Sequence, residues 1–266
     1  MRTRLLALVT LGLALGGRPL RAQALGSEPC PPAQAEQPPS TAVAEVPTLD
    51  PTPAPPLAAP PAPVPLAVTD VPLAVDYRHR IRATPLGWAR LSTWCVWVEP
   101  VMETGPTALW QQRWHRAVLA ALGTWSGLVP ITLVNEPARA QILLERRRPP
   151  LQQQDGRWRA SHGRALLRLR RVQRQQLWRL EPQVRVLIGM GQAEAALQAT
   201  VLHELGHAFG LWGHSDAAAD AMAATPGPRP QLSLSERDQR TVRWLYQQPT
   251  VFGRPEGAPP PAGNRQ

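Results

Sequence analysis

The chain has 266 residues, enough for one or two domains, and its 43% hydrophobic content is too high for a wholly disordered protein. Two cysteines exclude a disulfide-rich scaffold and a zinc-finger cysteine set. The formal net charge of +10 is carried by arginine alone, because the chain has no lysine. Such a balance favours anionic polymers, membranes or acidic substrates.

Residues 1–24 read as a signal peptide. Arg2 and Arg4 precede an apolar run from Leu5 to Leu15, too short to span a bilayer, and Ala22-Gln23-Ala24 offers a small-x-small cleavage site. Arg18 and Arg21 leave an uncleaved anchor open. The expected location is secreted, periplasmic or extracellular, with no transmembrane segment after cleavage. From residue 25 to 75 the chain is rich in Pro and Ala and holds 15 of the 32 prolines. Proline gives no ladder hydrogen bond, so this stretch is expected to be a disordered, solvated spacer, with a propeptide role left open. Export permits a Cys30–Cys95 disulfide, but Cys30 lies in that spacer and the pairing stays open.

A folded domain is expected over residues 76–250. Leu91–Val98 is β-branched and aromatic and reads as a strand. A helix follows from Thr107 to Trp125, with Trp110, Trp114, Val118 and Leu122 as its buried face. The tryptophans fit core packing better than a ligand platform. Pro130–Val134 and Ala140–Glu145 read as two more strands. Residues 146–185 hold 12 arginines against Asp155 and Glu181. They are either a solvated basic face or a contact for an anionic surface or polymer. Within them Leu166–Arg170 alternates like a half-exposed or edge strand. No phosphate loop or basic-aromatic run accompanies the arginines, so nucleic acid is not expected. Val184–Gly189 is a further strand, and a helix starts near Ala193.

That helix carries His203-Glu204-Leu205-Gly206-His207, followed by Gly210 and His214-Ser215. Histidines four apart stand on one helix face and can share a metal ion. Neutral imidazoles suit zinc, and a catalytic site takes three protein ligands plus an open position. Glu204 lies beside that position and can accept a proton from an attacking water. Leu197, Val201, Leu205 and Ala208 form the opposite, apolar stripe. Gly210 allows the helix to stop and turn, which can return His214 as third ligand. Alternatively His214 is a loop residue, and Asp216 or water completes the site. Ser235, with Asp238 three residues on, caps a last helix, and residues 251–266 read as a disordered Pro/Gly tail.

The run H-E-x-x-H-x-x-G followed by a histidine and Ser215 resembles the zinc helix of matrixins, a branch of the metzincin metalloendopeptidases. Met222, eight residues after His214, matches that family's methionine turn. The order of strand, long helix and strands before the motif, and Leu234-Ser235 with Asp238 and Leu245-Tyr246 after it, is similar too. One departure is plain: this chain has one residue more than the family between Gly210 and the third histidine, with Trp212 or Gly213 as the insertion and Gly213 able to absorb it as a bulge. The resemblance implies an α/β (α+β) metzincin-like fold. A mixed twisted sheet, a backing helix and the active-site helix stand above a small C-terminal part with the methionine turn and final helix. It implies one catalytic zinc on His203, His207 and His214, Glu204 as general base, and protein or peptide substrates that pair with an edge strand. Under that placement the arginines of 146–185 would favour acidic substrates. The family's ligands for a second zinc are not evident, since His162 stands alone, and calcium is left open. The expected protein is a monomeric, exported zinc endopeptidase. Its rivals are a zinc binder without catalysis and a basic surface-binding module.

Overall fold

The computed structural model describes residues 30–37, 75–154 and 156–259. The expected signal peptide and most of the Pro/Ala-rich segment lie outside the described residues. Strands β1 (Ala35–Gln37), β2 (Trp94–Val98), β3 (Ile131–Val134), β4 (Ile142–Glu145), β7 (Gly163–Arg174) and β8 (Leu177–Ile188) form one mixed sheet, ordered β1-β7-β8-β4-β2-β3. Neighbours from β3 to β8 run parallel, whereas β7 is antiparallel to β8 and β1 to β7. A small hairpin of β5 (Gln152–Gln154) and β6 (Arg157–Arg159) stands apart from the sheet. No described helix is long and apolar enough to cross a membrane.

Strand alternation decides which side carries the core. Trp94 and Val96 of β2, Ile142 and Leu144 of β4, Ala165, Leu167 and Leu169 of β7, and Val184, Val186 and Ile188 of β8 join one apolar cluster. Helices α1 (Ala108–Ser126) and α2 (Glu194–Ala208) supply its other half. The Trp125 indole donates to the Leu202 carbonyl at 3.0 Å and packs edge-on against Phe209, which locks α1 to α2. Truncating a tryptophan as buried as Trp94, Trp114 or Trp125 costs about 3–5 kcal/mol.

The expected stripe on α1 needs one correction. Trp114, Val118 and Leu122 are buried, but Trp110 is 48% exposed, with the Arg113 guanidinium over its ring. Steps of four residues rotate 400°, so each drifts 40° and the first member leaves the face set by the rest. The true stripe runs through Gln111, Trp114, Val118, Leu122 and Trp125.

The β7–β8 hairpin is longer than either strand read from sequence. Gln175 and Gln176 take positive φ of 50° and 64° at its turn, a conformation that Asn-Gly or Gly would have announced. Helix α3 (Glu236–Gln247) starts at the expected capping box, with both reciprocal bonds between Ser235 and Asp238 present.

Two expected disordered regions contribute ordered structure. Cys30 is 3% exposed and bonded to Cys95, 65 residues on. A loop of that length stabilises the fold by roughly 4 kcal/mol where chain entropy dominates. From there residues 31–34 reach the far edge, where β1 pairs with β7 in the register Ala35↔Gln173 to Gln37↔Arg171. At the other end of the domain, Phe252 is 2% exposed, Gly253 N–H donates to Leu180, and Glu256 N–H donates to Trp178. The Pro/Gly tail thus begins as a strip along β8, because one aromatic anchor and an Arg171–Glu256 pair at 2.7 Å hold it there.

The sheet's other side is held differently. Arg174 and Glu181, both buried, pair at 3.0 Å, and Gln141 donates to Glu181 at 3.1 Å. Arg168 and Arg170 share Glu36 and Arg185 takes Glu145, while on the helix side Arg146 takes Glu99 with its guanidinium over the Trp114 ring. Six of the 12 arginines between 146 and 185 are therefore paired, five of them with acids from outside that segment. This removes much of the free charge that the sequence displays there.

Candidate metal centre

Helix α2 places Leu197, Val201, Leu205 and Ala208 against the core, each fully buried, and turns His203 and His207 the other way. Their Nε2 atoms stand 3.2 Å apart. The helix then ends in a paired C-terminal motif: Gly210 N–H donates to His207 and Leu211 N–H to Gly206, with Gly210 at φ +107°. That turn carries the chain back. The His214 ring comes within 5.2 Å of His203 and 4.9 Å of His207, centroid to centroid. One ligand atom from each histidine lies within 4.8 Å of the others. Among the described residues this is the one cluster of three or more His, Cys, Asp or Glu side chains that could hold a metal.

The extra residue after Gly210 is absorbed without a glycine bulge. Trp212 is buried, lies nearly parallel to the His207 ring at 5.8 Å, and accepts a bond from Arg82 N–H through its carbonyl. Gly213 has no positive φ. It must be glycine because a Cβ would strike the Arg80 carbonyl. Asp216 does not join the histidines; its carboxylate meets Arg237 at 2.7 Å and Arg80 at 3.3 Å.

Second contacts decide which imidazole nitrogens are available. His203 Nδ1 lies 2.8 Å from the Ala221 carbonyl and His207 Nδ1 lies 2.7 Å from the Leu211 carbonyl. A carbonyl only accepts, so each Nδ1 carries the proton and each Nε2 presents a lone pair. Two lone pairs facing at 3.2 Å repel unless a cation lies between them. Two nitrogens on one tetrahedral zinc stand about 3.3 Å apart, so the donor set fits that metal. Burial pulls all three histidines below the ordinary imidazole range, His214 to about 3, which keeps them neutral.

Glu204 is 8% exposed and lines a cleft of about 490 Å³ with His203, Thr200 and Gly163. Much of the rest of the wall is small and uncharged, including Ala196, Ala199, Ala223 and Pro226 to Pro228, with His162, Gln192, Gln231 and the Arg237-paired Asp220 also lining it. Gly163 opens β7 directly beside the carboxylate. A Cβ there would lie 2.7 Å from Glu204 Cγ and 2.6 Å from Thr200 Cγ2. Met222 is fully buried beneath α2 and reaches Gly206, where a side chain would collide with its sulfur.

Several supporting residues escaped the sequence reading. Asp238 caps α3 as expected, and its carboxylate also accepts from Ala221 N–H at 2.8 Å and from the Tyr77 hydroxyl at 2.6 Å. It therefore fixes the turn whose carbonyl orients His203. Burial, and then the Asp238 charge, push the Tyr77 phenol well above its usual range. Arg237 braces the same turn through Asp220 at 2.9 Å. Gly163 did carry a signal, since a glycine beginning a strand often marks close approach.

A comparison with curated proteins finds no match. The matrixin family profile matches residues 100–247, more than half of the chain and inclusive of helices α1, α2 and α3 and all three histidines. With the mixed sheet, its backing helix and the histidine cluster in place, the chain belongs to the matrixin family of zinc metallopeptidases.

Proposed function

We propose that this chain is an exported zinc endopeptidase in which His203, His207 and His214 hold the metal and Glu204 is the general base. The observation that carries the reading is the pair of Nδ1–carbonyl bonds, which aim two Nε2 lone pairs at one point beside a buried carboxylate. Zinc bound there supplies Lewis-acid chemistry, polarising a peptide carbonyl and lowering the pKa of a water.

The protein's own groups do the rest. An extended substrate adds as a strand to the open side of β7, the edge nearest Glu204. A neutral, apolar side chain enters the small-walled cleft, where no unpaired charge would oppose it. Glu204 accepts a proton from water as its oxygen bonds to the scissile carbonyl carbon. The same carboxyl returns that proton to the nitrogen as the C–N bond breaks. Met222 and the Ala221 carbonyl hold the floor and the His203 tautomer without touching substrate. The exposed β5–β6 hairpin, with Arg157, Trp158 and Arg159, is our candidate for any anionic surface contact.

The test is hydrolysis of an unstructured protein by the full chain, loaded with zinc, beside Glu204→Ala. Cleavage by the parent alone, abolished by a chelator, supports the reading. Stoichiometric zinc without cleavage by either protein identifies a non-catalytic zinc binder instead. Salt-sensitive retention on polyanions as the sole activity, indifferent to chelators, points to the surface-binding rival.

A further inference from the structure

Strand β7 has 12 residues, and among the described residues only its last part has a neighbour on the side away from β8. There β1 pairs with Arg171 to Gln173. Among the described residues no strand pairs with that side between Gly163 and Arg170. The arm that brings β1 is fastened at both ends. Cys30 is bonded to Cys95 on β2, and Arg139 and Arg174 donate to the carbonyls of Cys30 and Pro31. Gln34 N–H donates to Gln173 at 2.8 Å, and the Gln34 side chain accepts from Gln176 N–H at 2.8 Å. Glu36 closes the arm's end with 3.2 Å and 3.0 Å ion pairs to Arg168 and Arg170.

Direction matters here. The arm runs antiparallel to β7, from the far end towards Gly163 and Glu204. In the sequence it is followed by Pro38 and Pro39, which lie outside the described residues and carry no backbone N–H. An antiparallel substrate strand would occupy the same edge in the same direction, with its upstream end facing Gln37.

We propose that the tethered arm Cys30–Gln37 is a specificity element that sets the upstream limit of the substrate, leaving the eight β7 positions from Gly163 to Arg170 for peptide pairing. The inference rests on the endopeptidase reading above. The arm also sets the charge at that limit. With Glu36 in place, Arg168 and Arg170 are already paired; without it, both are free to draw acidic residues of a longer peptide.

The test uses the full chain and peptides that share one cleavage site, with four, seven or ten residues upstream of it. In the parent, kcat/KM should rise from four to seven residues, then stay flat from seven to ten. Two variants displace the arm by different routes: Cys30→Ser with Cys95→Ser, and Glu36→Arg, which turns two attractions into repulsions. In each, the ten-residue peptide should gain about threefold over the seven-residue one, the order of a single added hydrogen bond. Acidic residues in the outer three positions should enlarge that gain. A merely structural arm would lower all rates together and leave the ten-to-seven ratio at one. That result in both variants, or a parent that already gains between seven and ten, overturns the proposal. If the chain hydrolyses nothing, the endopeptidase reading falls. The same series, read as peptide affinity for Glu204→Ala, still decides whether the arm limits the edge.

Discussion

Strand β7 joins two regions built on opposite principles. At Gly163 it is stripped to a glycine, its outer edge has no partner strand among the described residues, and its backbone lies against Glu204 and Thr200. At Arg174 its side is closed by β1, and its side chains are locked in a buried Arg174–Glu181 pair, with Arg170 held by Glu36. One end has the room that a reaction needs, and the other has the fastenings that keep the edge straight. The comparison shows how a single strand can serve as both substrate edge and structural wall. Chemistry gathers beside the glycine, and stability gathers where opposite charges are paired.

Experiments can break this contrast, beginning where the effect is largest. At the open end, Glu204→Gln removes the proton acceptor and keeps the volume. Peptide hydrolysis should fall by about 10²–10⁴-fold while zinc content, read by metal analysis, stays near one per chain. At the closed end, Glu181→Ala leaves the Arg174 charge buried without its carboxylate. Urea unfolding should show about 3–5 kcal/mol lost, with cleavage of a four-residue upstream peptide still measurable in the folded fraction. Gly163→Ala falls between the two in kind. Its methyl cannot enter without moving Glu204 or Thr200, so about 1–3 kcal/mol of stability and much of kcat should go together.

The smallest expected effect concerns pH in the metal-free chain. Burial holds the folded histidines below the ordinary value near 6.5, His214 at about 3. Between those values the unfolded chain binds more protons than the folded one. Stability is therefore complete above about 6.5 and is lost as pH falls through that window. Thermal melts of the chelated protein should show Tm dropping from pH 7 to 5. A flat profile would mean that the imidazoles are exposed to solvent rather than packed as described.

Much of this was legible in the chain itself. The spacing of His203 and His207 dictates a shared face once the segment is helical, and the apolar stripe from Leu197 to Ala208 dictates which side turns inward. Ser235 and Asp238 announce their cap three residues apart, because that bond is local. Met222 could be found by its distance from His214 in the resemblance, although periodicity alone is silent about a loop methionine. The insertion after Gly210 was visible, but its consequence was not. Whether Gly213 bends the chain or lets another backbone approach depends on Arg80, more than 130 residues away.

What the sequence determined by itself is therefore what short-range geometry controls: helix faces, caps, the alternation of strands and the identity of the candidate ligands. Tertiary structure alone decided the rest. It chose Cys95 as the partner of a cysteine in a proline-rich stretch, matched arginines of one segment to acids spread along the chain, and laid Phe252 into the core. It also gave Asp238 its second task beneath the histidines. Each of these joins residues far apart in the chain. Their free energy comes from burial and pairing that exist only after the sheet has formed, so no local pattern records them.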